Sequence, residues 1–228
     1  MRLDRYLAAS GLGSREFVKN LIKKGRITVE GVQQPEPETK VGENTAVFFD
    51  GKPVKGPGPV YLMLHKPAGY LTAVTDSRNR TVMELVPGNP PDLAPVGRLD
   101  KDAEGLLLFT NDGALAHRLL DPKRGIPKTY FVRTESAIPE DAVRILAEPV
   151  VFKDFTSRPA VLEILSEKEA RVTVTEGRFH EVKRLMHAAG SDVTYLKRIA
   201  FGSLALGDLK KGETRELHEE EIRALKTL

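Results

Sequence analysis

Apolar residues recur along this chain in two rhythms, one near 3.6 residues and one of two. Near the N-terminus, Leu3, Tyr6 and Leu7 mark a short helix. Ser14 is placed to cap a second helix, in which Phe17, Val18, Leu21 and Ile22 fall at helical spacing and Gly25 supplies the stop. Ile27–Val29 and Thr45–Phe49 read as strands. Gly56-Pro57-Gly58-Pro59 then breaks the pattern with no apolar residue.

Strands dominate beyond that break. Tyr61–His65 is strand-like and stops at the turn Lys66-Pro67-Ala68-Gly69. The run Leu106–Phe109 is continuous and short, which predicts a strand over 105–110 buried on both faces. Lys128–Arg133 and Tyr195–Ala200 read as further strands, and 161–165 with 170–175 as a hairpin. Short helices are predicted at 81–86, 112–120, 139–147 (with Pro139 near its start) and 219–226. A longer one is predicted over 177–189, with Phe179, Val182, Leu185, Met186 and Ala189 on its apolar side. Strands that follow one another without helices between them predict an α+β fold rather than a doubly wound sheet. The pattern divides the chain into a small unit over 1–54, a Gly/Pro linker over 55–59 and a larger domain over 60–228.

Composition narrows the chemistry. The chain has 228 residues and no cysteine, which excludes a disulfide scaffold, a Cys-based zinc site and thiol catalysis. The five histidines, at 65, 117, 180, 187 and 218, do not fall at metal-ligand spacing, so no metal is expected. There is no apolar leader and no apolar run of membrane-spanning length, so the expectation is a cytoplasmic chain without a membrane partner. Nothing in the pattern requires more than a monomer.

The net charge is only +3, but it is unevenly placed. Residues 1–26 hold seven basic side chains, Arg2, Arg5, Arg15, Lys19, Lys23, Lys24 and Arg26, against two acids. Residues 27–54 hold two against five. A basic helical pair can follow a phosphate backbone, or it can be a solvated face. A second basic stripe, Arg118, Lys123, Arg124, Lys128 and Arg133, surrounds Tyr130, an aromatic that either fills core or stacks on a base.

The richest segment is Gly97-Arg98-Leu99-Asp100-Lys101-Asp102-Ala103-Glu104-Gly105, followed by the buried run and Thr110-Asn111-Asp112-Gly113. Its acids belong on a loop at a strand's mouth, where catalytic groups are often placed. Acids at 100, 102 and 104 with Gly105 imitate half a calcium loop, but the twelfth position is Asn111 rather than a bidentate Glu. A glycosidase-like carboxylate pair needs two opposed faces, which neighbours on one loop seldom provide. One carboxylate working beside a cation is simpler, and a solvated, self-capping loop is the bland alternative. Glu176-Gly177-Arg178-Phe179-His180-Glu181-Val182-Lys183-Arg184 is predicted to begin a helix, where cations oppose the macrodipole unless they face an anion.

Taken together these segments resemble the ribosomal small-subunit pseudouridine synthase A family of rRNA pseudouridine synthases. Residues 97–113 are similar to that family's active-site motif, Lys128-Thr129-Tyr130 to its second motif and Glu176–Arg184 to its third. Residues 1–54 resemble the S4 RNA-binding domain that precedes the catalytic domain in such enzymes. The resemblance implies a catalytic domain with a mainly antiparallel central sheet and flanking helices. It implies isomerisation of uridine in ribosomal RNA without a cofactor, on a base taken out of its stack. Asp100 matches the catalytic carboxylate, which attacks C1′ or takes the C2′ proton. Lys183 matches its basic partner, and a cation there favours the charged carboxylate. Tyr130 matches the aromatic that packs on the uracil, and Arg98 the residue that holds the RNA open. Arg178 and Arg184 then become phosphate contacts. Asp100, Tyr130 and Lys183 are expected to line one cleft, with Asp102 and Glu104 shaping or solvating the loop. Ala103 departs from the family's Thr or Ser, and Glu181 from the Gln of close relatives.

The expected partner is therefore ribosomal RNA, 16S rRNA or a small-subunit precursor particle. The alternatives are action on 23S rRNA, or a non-catalytic S4-type RNA-binding assembly factor.

Overall fold

The computed structural model describes residues 1–42, 45–56, 58–88, 90 and 92–228. It forms two compact units, residues 1–59 and 60–228. Pro57, within the predicted linker, lies outside the described residues.

The first unit packs helices α1 (Leu3–Ala9) and α2 (Arg15–Lys23) beside strands β1 (Ile27–Val29), β2 (Val47–Phe49) and β3 (Lys52–Pro53), paired in that order. The Ser14 hydroxyl accepts from the Phe17 N–H, which satisfies one free donor at the start of α2. Val18, Leu21 and Ile22 join Leu3, Tyr6, Leu7, Ile27, Val29, Val41 and Val47 in one core. Phe17 does not join them. It is half exposed, and its ring lies against Gly13, off the buried stripe.

The second unit is built on one twisted sheet. Its members are β4 (Tyr61–Lys66), β5 (Ala94–Val96), β6 (Glu104–Thr110), β7 (Lys128–Thr134), β8 (Val161–Ser166), β9 (Glu169–Val174), β10 (Val193–Phe201), β11 (Leu204–Ala205) and β12 (Thr214–Glu216). The order is β12-β4-β6-β10-β7-β9-β8, with β5 on β6 and β11 on β10. Every described pairing is antiparallel except β6 with β10. Among the described residues four α-helices flank it: α3 (Gly113–Leu120), α4 (Ala142–Leu146), α5 (Glu181–Ala188) and α6 (Glu219–Thr227).

Both faces of the sheet's middle are covered, which explains the apolar run. Leu107 and Phe109 pack into one core with Leu62, Leu64 and Val132. Leu106 and Leu108 pack into the other with Tyr61, Met63 and Leu225. Alternation along β4 and β6 thus sends successive side chains to opposite cores.

Two helices are shorter than the periodicity predicts. Pro139 lies in a turn whose carbonyl accepts from the Ala142 N–H, so α4 starts only there. His180 has φ +51, a left-handed backbone that bars a helix from running through it, so α5 starts at Glu181. Arg178 and His180 therefore precede α5 rather than occupying its first turns. Phe179 is largely exposed and stacks on the His180 ring instead of facing the core.

Candidate active site

Asp100 stands on the loop that joins β5 to β6. That loop is held by Lys66 at the end of β4 and by Thr72 in the segment that follows it. The Thr72 hydroxyl donates to the Leu99 carbonyl at 2.7 Å and accepts from the Leu99 N–H at 3.2 Å. Lys66 is fully buried, and its Nζ donates to the carbonyls of Asp100 at 2.9 Å, Ala103 at 2.8 Å and Pro67 at 3.2 Å. Burial pushes this ammonium down to about 8, against the pull of Asp102, Asp100 and Glu104. The signal for Lys66 was the Lys-Pro-x-Gly sequence straight after a strand, which reads only as a turn.

The three acids of the loop part company. Asp100 Oδ2 lies 3.8 Å from Lys183 Nζ, and Oδ1 lies 3.6 Å from His180 Nε2. Asp102 accepts from the same Lys183 at 2.7 and 2.9 Å, and that bond holds its carboxyl below the usual range. Glu104 does not solvate the loop. It opens β6, is buried, and accepts from Tyr195 Oη and Lys211 Nζ at 2.8 Å each. Burial alone would raise Glu104, but those two bonds outweigh it and keep it low. Tyr195 is pushed up to about 12 by burial and by the same carboxylate.

Beside Asp100 opens a cavity of about 250 Å³. Arg98, Asp100, Tyr130 and Arg178 line it, as do Lys128, Glu181, Leu196, Arg198 and Phe201. Lys183 does not line it, contrary to expectation. Its ammonium is spent on Asp102 outside the cavity wall and reaches Asp100 only at the longer distance. Arg184 is also elsewhere. It forms a two-bond pair with Asp154 and lies over the rings of Phe152 and Phe155.

Two further cations line the cavity: Lys128, from the second basic stripe, and Arg198, on which the sequence motifs are silent. Arg198 is only 2% exposed. Its Nε donates to the Leu106 carbonyl at 2.8 Å, while Nη2 is buried with no protein partner among the described residues. A buried donor left in that state costs about 1–3 kcal/mol. Lys128 Nζ donates to the Ile126 carbonyl at 3.1 Å, and burial together with Arg198 pushes it down to about 8. Glu181 is buried and raised by that burial, although the Arg178 N–H donates to it. An arginine inside an apolar strand was the available signal for Arg198, but a strand pattern does not say which face is a cavity.

In the first unit, Arg2, Arg5, Arg15 and Lys19 border one cleft. Arg2 is tied to Asp4 and Glu38, and Arg26 to Asp50. Lys23 borders a different cleft with Lys19, and Lys24 is the exposed C-cap of α2.

A site this small, with a carboxylate on its wall, an aromatic beside it and cations around, has room for one nucleobase, which must leave its stack to enter. The class is thus an enzyme that works on a single flipped base. The family model described as RNA pseudouridylate synthase matches residues 60–188, and the S4 domain model matches residues 1–47. An RNA pseudouridine synthase of Bacillus subtilis is 42% identical, over 99% of this chain and 98% of its own. The ribosomal small subunit pseudouridine synthase A of Escherichia coli is 38% identical over 99% and 100%. The ribosomal large subunit pseudouridine synthase B of Bacillus subtilis is 35% identical over 100% and 96%. A crystal structure of a pseudouridylate synthase superposes with a TM-score of 0.71, at 30% identity over 99% of both chains. This chain belongs to the RNA pseudouridine synthases and carries their N-terminal S4 domain. No described helix is long and apolar enough to cross a membrane.

Proposed function

We propose that this chain isomerises one uridine of ribosomal RNA, in the 16S rRNA of the small subunit, with Asp100 as the catalytic carboxylate. The observation that carries the reading is Asp100 on a braced loop at the wall of a base-sized cavity that also presents Tyr130. Asp100 either attacks C1′ of the ribose or removes the C2′ proton, and the glycosidic bond breaks. The uracil turns against Tyr130 and bonds through C5. Lys183 steadies the carboxylates of Asp100 and Asp102 from outside the cavity. Arg98 and Arg178, exposed at its mouth, receive the opened RNA strand. The small-subunit choice is supported by the 38% likeness to the enzyme of that name, against 35% for the large-subunit one.

In this reading residues 1–54 are the RNA-binding domain, 55–59 the linker and 60–228 the catalytic domain of a cytoplasmic monomer. Arg5, Arg15 and Lys19 make the phosphate contacts with the most direct support, since they share a cleft. Arg184, paired with Asp154, supports RNA binding least.

The test uses 16S and 23S rRNA, naked and in precursor particles, labelled with tritium at uracil C5. Turnover releases the label. Release from 16S alone is expected, and its loss in Asp100→Asn. Release from 23S alone would move the substrate to the large subunit. No release from any of these would refute turnover of rRNA, and undiminished release by Asp100→Asn would refute the role of that residue.

A further inference from the structure

We propose that Arg198 is a further catalytic residue, whose guanidinium donates to a carbonyl oxygen of the flipped uracil and holds the charge that the base acquires on leaving. The proposal deepens the uridine-isomerising reading and rests on it.

Asp100 acts at the sugar, so another group must serve the base. On either route the C1′–N1 bond breaks and its electron pair departs on the uracil, spread over N1, O2 and O4. C5 then bonds to C1′ as the Asp100–C1′ ester bond breaks or, on the other route, as Asp100 returns the C2′ proton. The C5 proton leaves to water and N1 takes one up, so the base ends neutral. Arg198 gives up no proton in this scheme; it is a fixed donor aimed where charge develops, the kind of group that lowers such barriers most.

Three buried side-chain atoms among the described residues lack a hydrogen-bond partner: His65 Nε2, Arg118 Nε and Arg198 Nη2. Of these three residues Arg198 alone lines the cavity that holds Asp100 and Tyr130. It stands directly opposite Tyr130 in the β7–β10 register. A β-bulge between Arg198 and Ala200 then sets Phe201, not Ala200, opposite Lys128. The Phe201 ring lies 5.4 Å from the guanidinium and 5.5 Å from Lys128 Nζ.

The guanidinium is also held in place before any substrate arrives. Nε is fixed by the Leu106 carbonyl. Arg198 pairs with Gly105 on the neighbouring parallel strand, so closely that a Cβ on Gly105 would lie 2.2 Å from the Arg198 carbonyl oxygen. The cavity's buried carboxylates are engaged elsewhere: Glu176 accepts from the Arg158 N–H and Glu181 from the Arg178 N–H. Lys128 spends a donor on Ile126. Nη2 is closed off from solvent, so the donor that Arg198 offers to the base site is Nη1, which makes no hydrogen bond among the described residues.

The experiment measures single-turnover conversion, by chromatography of the digested nucleosides, on the rRNA transcript that the unaltered enzyme converts. The transcript is made with uridine or with 5-fluorouridine, whose fluorine withdraws electrons and eases departure of the anion. Because 5-fluorouridine has no C5 proton to lose, both are scored by disappearance of the starting nucleoside, which reports C1′–N1 cleavage. Conversion of uridine by the unaltered enzyme tests the parent reading; the variants test this one. Arg198→Gln should slow conversion of uridine about 100-fold, as loss of an oxyanion donor does, with RNA affinity within about threefold. On 5-fluorouridine the penalty should fall below about tenfold. Arg198→Lys, which keeps a cation, should fall between the unaltered enzyme and Arg198→Gln. Equal penalties on both bases, or a loss confined to RNA affinity, would overturn the proposal. If Arg198→Gln lacks a cooperative melting transition, Arg198→Lys carries the same comparison. If both variants fail to fold, Arg198 belongs to the fold and the proposal is refuted.

Discussion

Gly105→Ala tests whether the meeting of β6 and β10 organises the site. Gly105 has φ +109, and an added Cβ would sit 2.2 Å from the Arg198 carbonyl oxygen and 2.6 Å from its nitrogen. Both obstacles are backbone, so no side-chain rotation relieves them. The backbone conformation alone would cost alanine about 1–3 kcal/mol, and forced overpacking about 1–3 more. The sum, about 4 kcal/mol, is a large share of a stability that is usually about 5–15 kcal/mol. Gly113→Ala is the control within the same motif. Gly113 begins α3 without a positive φ, and a Cβ there meets nothing within 4 Å. It should be neutral or more stable by about 0.5 kcal/mol. The assay is urea unfolding followed by tyrosine fluorescence, since Tyr61, Tyr70, Tyr130 and Tyr195 all lie in the larger unit. With a slope of about 2 kcal/mol per molar urea, Gly105→Ala should lower the midpoint by about 2 M. A midpoint within 0.3 M (roughly 0.6 kcal/mol at that slope) of the Gly113→Ala value would show that β6 and β10 can part freely, and the argument would fail.

Four further outcomes follow from the site. Lys66→Met removes the donor shared by the Asp100 and Ala103 carbonyls, and thermal melting should show a loss of about 2–4 kcal/mol; an unchanged melting temperature would deny Lys66 its bracing role. Lys66 and Lys128 both sit near 8 when folded, below the usual lysine value, so between pH 8 and 10 the unfolded chain binds more protons and stability rises with pH. In Lys128→Met that rise should flatten by up to about 1.4 kcal/mol per pH unit, and an unaltered slope would refute the shift. Glu181 is raised by burial, so its contribution to stability is present at acid pH and lost as pH climbs past the ordinary glutamate range. Glu181→Gln should therefore be the more stable form at pH 7, with the gain shrinking toward pH 4, as urea titrations at both pH values would reveal. Replacing Arg15 and Lys19 by Gln should reduce the slope of log affinity against log salt by about 1.4–1.8 in filter binding, and an unchanged slope would remove them from the RNA contact.

The chain's local order was legible because it depends on near neighbours. The run Leu106–Phe109 announced a strand buried on both faces, and Ser14 and Gly25 bounded α2 as their chemistry requires. Errors arose where one backbone angle or one distant contact overrode the pattern. His180 at φ +51 delayed α5, so Arg178 lies outside the helix and Phe179 leaves the core. The short strands β5, β11 and β12 carry too few residues to show a period, and they exist because β6, β10 and β4 offer unpaired edges.

The sequence by itself determined the two-part organisation, the α+β class, and the motif in which Asp100 stands apart from other acids by resemblance. Only the tertiary structure decided what each charged group touches. Lys183 turned out to spend its short bonds on Asp102, Arg184 to pair with Asp154, and Glu104 to be a buried partner of Tyr195 and Lys211. Lys66 and Arg198 acquired roles because residues 34 and 92 positions away in the chain, Asp100 and Leu106, present carbonyls to them. Periodicity reports whether a side chain is buried; it carries no term for the partner across a sheet, and the chemistry of this site resides in those partners.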